Sequence, residues 1–279
     1  MSDERPIDPA CLIWRGKVLV RSAEDPEPIE VSGREFAQAA PLDAVATAAG
    51  GVTAYLLEAP DEASAAAALV GVAPDAVFSD VMIELGRWDA PARYKIVRAI
   101  AIERWSNRYR FCPACGYALG WSNDSVAKVC ANPLRMHRHF PRLDPAIIVL
   151  VTDGERVLLG RAARWPPGWY STLAGFVEPG ETLEATIRRE VFEEAGITVS
   201  ATRYFGSESW PFPRSLMLGF FAQAQTSEIA RRDAELEDAR WFDAAQLREL
   251  QLHMKLTRPF FDTIARRLID TWLAERAAP

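Results

Sequence analysis

Three carboxylates, Glu190, Glu193 and Glu194, stand together inside the stretch GFVEPGETLEATIRREVFEEAGI at positions 175–197. On a helix the spacing i, i+3, i+4 stacks them on one side within a single turn. Like charges so placed repel one another and weaken a bare helix. At about 100° per residue, Glu194 also projects into the arc of Leu183, Ile187 and Val191, which are core positions. A hard cation answers both difficulties, because Mg²⁺ takes carboxylate oxygens and keeps phosphate and water as its remaining ligands. The bland alternative is an acidic amphipathic helix whose charges face water.

The elements that position these acids are legible around them. Glu178-Pro179-Gly180 reads as a turn, the following run is rich in helix formers, and Gly196 ends it. Upstream, DPAIIVLV and RVLLGRA read as successive strands about a turn at Asp153-Gly154, and GWYSTLAGFV leads into the helix. Downstream, TVSATRYFGSESW is strand-like and SLMLGFFAQA is a run suited to a buried strand. Residues 235–242 read as an acidic turn entering a short strand, and the tail from Pro259 to Ala274 as a closing helix.

The spacing itself is specific. Gly175 is followed after five residues by Glu181, and after seven more by Arg189-Glu190-Val191, Phe192, Glu193-Glu194, Ala195, Gly196 and Ile197. Every fixed position of the Nudix box is filled, so the stretch resembles a Nudix hydrolase. The resemblance implies hydrolysis of a nucleoside diphosphate linked to a further group, with Mg²⁺ or Mn²⁺. Beyond the box lies Ser207-Glu208-Ser209-Trp210-Pro211-Phe212-Pro213-Arg214-Ser215. It is similar to the Ser-Gln-Pro-Trp-Pro-Phe-Pro-x-Ser motif of the NADH pyrophosphatase family, with Glu208 in place of Gln and Ser209 in place of Pro. That family also carries an aromatic-Pro-Arg-x-Asp-Pro run before the catalytic domain, here Phe140-Pro141-Arg142-Leu143-Asp144-Pro145.

The resemblance implies an α+β protein whose catalytic part is a Nudix α/β/α sandwich at 143–279. A zinc-ribbon-like module at 106–142 and a smaller N-terminal α/β scaffold domain at 1–105 precede it. It implies NADH or NAD⁺ as substrate, AMP and nicotinamide mononucleotide as products, and a homodimer. Carried over by position, Glu190, Glu194, Glu235 and the carbonyl of Ala174 match metal ligands. Glu193 lies in the same cluster, for metal binding or water activation. Phe140, Phe176, Ala265 and the segment from Ser207 to Ser215 match substrate-contacting positions. Glu208 brings a charge beside an anionic substrate. Arg189 is expected to orient the glutamates through charge-assisted bonds, and Glu181 to anchor the loop–helix junction. Two readings compete: a pyrophosphatase for another substrate, such as ADP-ribose, a dinucleoside polyphosphate or the NAD cap of RNA, and a zinc-ribbon binding or regulatory module on an inactive Nudix fold.

Three of the four cysteines cluster. Cys112 and Cys115 form a knuckle and Cys130 follows, but a second pair would end at position 133, which is Pro133. Three thiolates do not close a tetrahedral zinc site, so His137 or His139 would have to supply the fourth ligand; a ribbon that folds without metal is the alternative. In the first 105 residues, CLIWRGKVLVR and VTAYLLEA read as strands, and EASAAAALVGV and ARYKIVRAIAIERW as helices. Cys11 reads as a small core residue. The 279 residues carry a net charge of −6, which argues against a general binder of nucleic acid or membrane surfaces. No apolar run is long enough to span a bilayer, and the polar N-terminus is unlike a secretory signal, so a cytoplasmic protein is expected.

Overall fold

The computed structural model describes residues 10–15, 17–22, 24–25, 27–31, 42–46, 52–57, 59–67, 73–122, 126–232, 235–257 and 263–276. Contacts divide the chain into two compact units, Met1–Arg142 with Pro211–Arg214, and Leu143–Trp210 with Ser215–Pro279.

The second unit is built on one strand. β10 (Asp144–Thr152) is buried over most of its length, as a near-continuous apolar run requires of a central strand. It pairs in parallel with β14 (Ser215–Ala224) over nine residues and antiparallel with β12 (Leu173–Phe176) and β11 (Val157–Arg161). With β13 (Val199–Trp210) beyond β14 and β15 (Asp238–Phe242) beyond β11, these form a six-stranded mixed sheet. Side chains alternate across its two faces. Ile147, Val149 and Val151 pack with Ile187 and Val191 of α4 (Leu183–Ala195). Ile148 and Leu150 pack on the other face with Leu268 and Trp272 of α6 (Ile264–Glu275), joined by Leu247 of α5 (Ala244–Thr257). Helices therefore cover both faces, the α/β/α sandwich expected.

One boundary and one element differ from the sequence reading. The closing helix begins at Ile264, capped by Thr263 Oγ1 on Arg266 N, and Pro259 lies outside the described residues. Helix α5 is unanticipated, although Asp243 and Gln246 cap it reciprocally: Asp243 Oδ1 accepts from Gln246 N, and Gln246 Oε1 accepts from Asp243 N.

In the first unit, β1 (Ala10–Trp14) and β2 (Lys17–Val20) form a hairpin. With β3 (Glu30–Val31), β4 (Leu42–Ala46), β5 (Val52–Leu57) and β6 (Val77–Asp80) they make a six-stranded sheet in which β1 and β5 run parallel. Helices α1 (Glu62–Ala67), α2 (Val81–Glu84) and α3 (Ala90–Arg108) accompany it. The two anticipated strand regions and the long helix are present. The first anticipated helix is described only to Ala67, and 68–72 lie outside the described residues. Cys11 is buried, as expected. A three-stranded sheet, β7 (Leu119–Trp121), β8 (Lys128–Cys130) and β9 (Arg138–His139), completes the unit.

Candidate active site

Helix α4 is set at both ends. Thr182 Oγ1 accepts from Ala185 N, and Gly196 closes the helix with φ 72°, a left-handed conformation that glycine adopts without strain. On it the three glutamates differ sharply in exposure. Glu194 is 4% exposed among Ile187, Val191 and Ala195, Glu190 is half-buried, and Glu193 faces water.

Arg189 is the hub. Its Nε and Nη2 donate to Glu181 Oε1 and Oε2 at 2.7 and 2.9 Å, and its Nη1 to Glu190 Oε1 at 2.8 Å and Glu193 Oε2 at 3.1 Å. Nη2 also donates to the carbonyl of Phe176 at 2.9 Å. Bidentate pairing of this kind suits the planar guanidinium. Glu181 in turn accepts from Glu178 N and Thr186 Oγ1, which ties the turn to the first turn of the helix. Both sequence expectations for Arg189 and Glu181 hold. The hydrogen bonds from Arg189 lead in holding the Glu181 carboxyl down at about 2. Burial pushes Glu190 up from the usual carboxylate range, with the charges of Glu193 and Glu235 adding to the shift and Arg189 opposing it. Glu235 is therefore electrostatically part of the cluster despite standing 45 residues on in the chain.

Gly175 shows how tightly the cluster is seated. A Cβ there would fall 1.9 Å from Glu190 Cδ and 2.0 Å from its Oε1. A side chain there would have to displace the Glu190 carboxylate from where Arg189 holds it, so the glycine of the box is a matter of space, not of φ. Ala174, the preceding residue of β12, pairs with Ile148 of β10. Phe176 is 53% exposed at the strand's end.

The segment from Ser207 to Ser215 does not present one continuous wall. In β13, Ser207 and Ser209 are exposed while Glu208 and Trp210 are half-buried, as strand alternation requires. Ser215 opens β14, buried and paired with Trp210. Pro211–Arg214 group with the first unit, where Arg104 Nη1 donates to the Pro211 carbonyl at 3.0 Å and the guanidinium lies 4.7 Å from the Phe212 ring centroid. Pro213 is exposed and Arg214 half-buried. Glu208 is engaged within the second unit. Its Oε2 accepts from Ile264 N at 2.8 Å, at the first residue of α6 and beside Ala265. A carboxylate is well placed there, since the helix N-terminus carries partial positive charge.

A second cluster lies in the first unit. The knuckle closes through Gly116 N to Cys112 O at 2.8 Å and Cys112 N to Tyr117 O at 2.8 Å, with Gly116 at φ 74°. The β8–β9 turn brings His137 in, its carbonyl accepting from Cys130 N at 2.9 Å. The ligand atoms of Cys112, Cys115, Cys130 and His137 all lie within 4.8 Å of one another. Cys115 Sγ is 3.3 Å from Cys130 Sγ and 3.8 Å from His137 Nδ1, and Cys112 Sγ is 3.4 Å from the same nitrogen. Zinc bonds of about 2.1–2.3 Å put tetrahedral ligands about 3.6 Å apart, so the set fits zinc. His139 Nε2 also lies 3.3 Å from Cys112 Sγ. The backbone N–H of Tyr117 leads in holding the Cys115 thiol down at about 6, and burial pushes Cys130 up. Phe140, just beyond, is 52% exposed.

Residues 142–264 match the NUDIX domain family. The chain is 44% identical over 178 residues to a protein of Stutzerimonas stutzeri named NAD-capped RNA hydrolase NudC, a match covering 64% of this chain and 61% of that one. A protein of the same name from Pseudomonas aeruginosa is 45% identical over 173 residues, covering 62% and 59%. The chain thus spans about three-fifths of the length of the curated relatives it matches. A solved NUDIX hydrolase from Nitrosomonas europaea is 24% identical, covering 49% of this chain and 79% of that one, with a TM-score of 0.42.

Proposed function

We propose, from the premise that residues 142–264 are a NUDIX domain, that this protein hydrolyses the pyrophosphate of NADH or NAD⁺ to AMP and nicotinamide mononucleotide. The observation that carries the reading is the acidic cluster: Glu190 and Glu194 withdrawn from water and Glu193 exposed beside them, with Glu190 and Glu193 steered by one arginine. Burial and neighbouring charge disfavour the ionised form of Glu190, and a divalent cation reverses that preference, so the donor set fits Mg²⁺ or Mn²⁺. Glu190, Glu194, Glu235 and the Ala174 carbonyl would hold it, with Glu193 in the same set. When bound, such an ion neutralises the phosphates and lowers the pKa of the attacking water. Arg189 fixes the carboxylates of Glu190 and Glu193 in place. Glu193, the exposed member, is the group free of burial that can take up the proton of the attacking water.

Phe140, Phe176, Trp210, Phe212 and Ala265 are the proposed surfaces for base, ribose and nicotinamide, with Ser207, Ser209, Pro211, Pro213, Arg214 and Ser215 shaping the same segment. Glu208 serves them by holding the start of α6 next to Ala265. The name shared by the relatives favours a second substrate, the NAD-capped end of RNA. Structural zinc in the cysteine cluster, a homodimer and a cytoplasmic setting complete the proposal. Among the described residues no helix is long and apolar enough to cross a membrane.

A panel of NADH, NAD⁺, ADP-ribose, a dinucleoside polyphosphate and NAD-capped RNA, run with Mg²⁺ and resolved by chromatography, tests this. NADH or NAD⁺ should outrun ADP-ribose and yield AMP with the mononucleotide. In the same panel Trp210→Ala should slow NADH about 5- to 150-fold and ADP-ribose much less, since these substrates differ only at the nicotinamide end. Preference for ADP-ribose, or equal slowing of both, sinks the NADH assignment; absence of any Mg²⁺-dependent turnover revives the inactive binding module.

A further inference from the structure

The first unit holds a cavity of about 980 Å³ lined entirely by its own residues. It opens where β1, β5, the C-terminal half of α3 and the β7–β8 hairpin face one another. Its size is at the upper end of small-molecule sites, about 300–1,000 Å³. The floor is apolar, with Ile13 and Leu57 buried.

Its charge runs against that of the whole chain. Arg15, Arg110 and Lys128 line it with a single carboxylate, Glu103, in a protein of net charge −6. Lys128 and Glu103 are buried, at 6% and 4% exposure. Lys128 is fixed by donating to the carbonyls of Ser106 and Tyr109 at 2.9 and 3.0 Å, at the end of α3. Its ammonium sits 5.2 Å from the Trp121 ring centroid. Arg110 is exposed, and among the described residues its guanidinium has no hydrogen-bond or ion-pair partner. Phe111, beside it on the rim, is 63% exposed.

Arg15 adds an independent observation. Trp14 pairs with Lys17, so Arg15 stands in the tight turn of the hairpin. Such turns favour Asn, Asp or Gly, because positive φ strains other residues. Arg15 is the sole non-glycine residue of positive φ among those described, at 47°. It lines the cavity, tied to the Pro60 carbonyl, which lines it too. A strained residue with a charged side chain at the mouth of a pocket is what a binding role would retain.

We propose that this cavity is a second ligand site, for a nucleoside monophosphate. The phosphate is drawn by Arg15 and Arg110, with Lys128 behind, and the base lies against Trp121 and Phe111. Glu103, which accepts from Asn107 Nδ2 at 2.9 Å, places a carboxylate in the lining that repels a second phosphate. The site is independent of what the acidic cluster hydrolyses.

The test is calorimetric titration of AMP, inorganic phosphate and adenosine into the full-length Glu194→Gln protein without added divalent cation. AMP should bind one per chain, and more tightly than either fragment. Arg110→Glu and Arg15→Gly, both at exposed positions, should each weaken AMP at least about tenfold. Arg15→Gly should also raise the melting temperature, because it relieves the strained turn; a merely structural arginine would not combine higher stability with weaker binding. No AMP binding at millimolar concentration, binding unchanged in both variants, or phosphate bound as tightly as AMP would each overturn the proposal.

Discussion

The two candidate metal centres are assembled in opposite ways. The acidic cluster draws three carboxylates from one turn of α4, and protein groups already organise it: Arg189 ties Glu181, Glu190 and Glu193 together, and Ile187 and Val191 anchor the helix in the core. The cysteine–histidine cluster draws its four ligands from a knuckle, a strand and a turn, and what holds those pieces is a handful of backbone hydrogen bonds. An oxygen site of the first kind has a scaffold that stands without its ion. A thiolate site of the second kind is part of its own scaffold, because metal binding there is folding free energy. Loss of the ion should therefore cost activity in one case and structure in the other.

The largest expected effect probes the first half of that contrast. Glu194→Gln should lower kcat/KM for the preferred pyrophosphate by at least about 100-fold, equivalent to about 2.7 kcal/mol. Relief of repulsion between Glu190 and Glu194, about 0.2–0.5 kcal/mol, means the metal-free variant should melt no lower than the parent. Near-normal turnover at saturating Mg²⁺ would show that Glu194 is no ligand. A large drop in melting temperature would break the contrast itself.

The second half is tested at the thiolates. Elemental analysis of protein purified without chelator should find about one zinc per chain, as a closed tetrahedral site holds. Cys130→Ala should lose it and His137→Ala should weaken it about 100-fold or more, both with a lowered melting temperature, while His139→Ala should keep it. Zinc retained in His137→Ala and lost in His139→Ala would transfer the fourth ligand to His139, whose Nε2 is 3.3 Å from Cys112 Sγ.

A smaller effect sharpens the role of the arginine hub. The folded-state pKa of Glu181 is about 2 against an ordinary 4.5. Its contribution to stability is complete above the higher value and fades as pH falls toward the lower. Acid titration of the melting temperature should show that Glu181→Gln flattens the decline between these values; an unchanged acid limb would mean the Arg189 bonds add nothing. The smallest effect belongs to Glu208→Gln. The amide oxygen can still accept from Ile264 N, so at the helix terminus the interaction of the charge is lost, about 0.3–1 kcal/mol. Denaturant titration of both proteins measures it, and a loss of several times that size would point to a buried partner beyond the helix end.

What could be read in advance was what local spacing encodes. The main strands of the second unit, α4 with Glu194 turned into the core arc, and the roles of Arg189 toward the glutamates and of Glu181 at the loop–helix junction all follow from residues within a few turns or one strand of each other. Features that depend on distant register were not readable. His137 could not be separated from His139, because the choice rests on where the β8–β9 turn brings each ring. The engagement of Glu208 joins residues 56 apart. The cavity of the first unit needs two sheets and a helix to be folded before its charges meet. Helix α5 is a different case, since Asp243 and Gln246 stood at capping-box spacing ahead of it and went unused.

The parallel pairing of β10 with β14 bears on how this unit forms. Asp144 lies opposite Ser215, so joining the strands closes a loop of about 70 residues, at an entropic cost of about 4 kcal/mol from the logarithmic length term. β13 and β14, by contrast, are joined by the short turn Pro211–Arg214 and can zip together locally. The hairpin therefore forms early and β10 docks late, which places this unit among slow, high-contact-order folders. In the interval β14 presents an open edge of ten mostly apolar residues, SLMLGFFAQA, to any neighbouring chain. Refolding yield should accordingly fall as protein concentration rises, and the residues of α4 that will carry the chemistry wait, uncovered on one side, for the central strand to arrive.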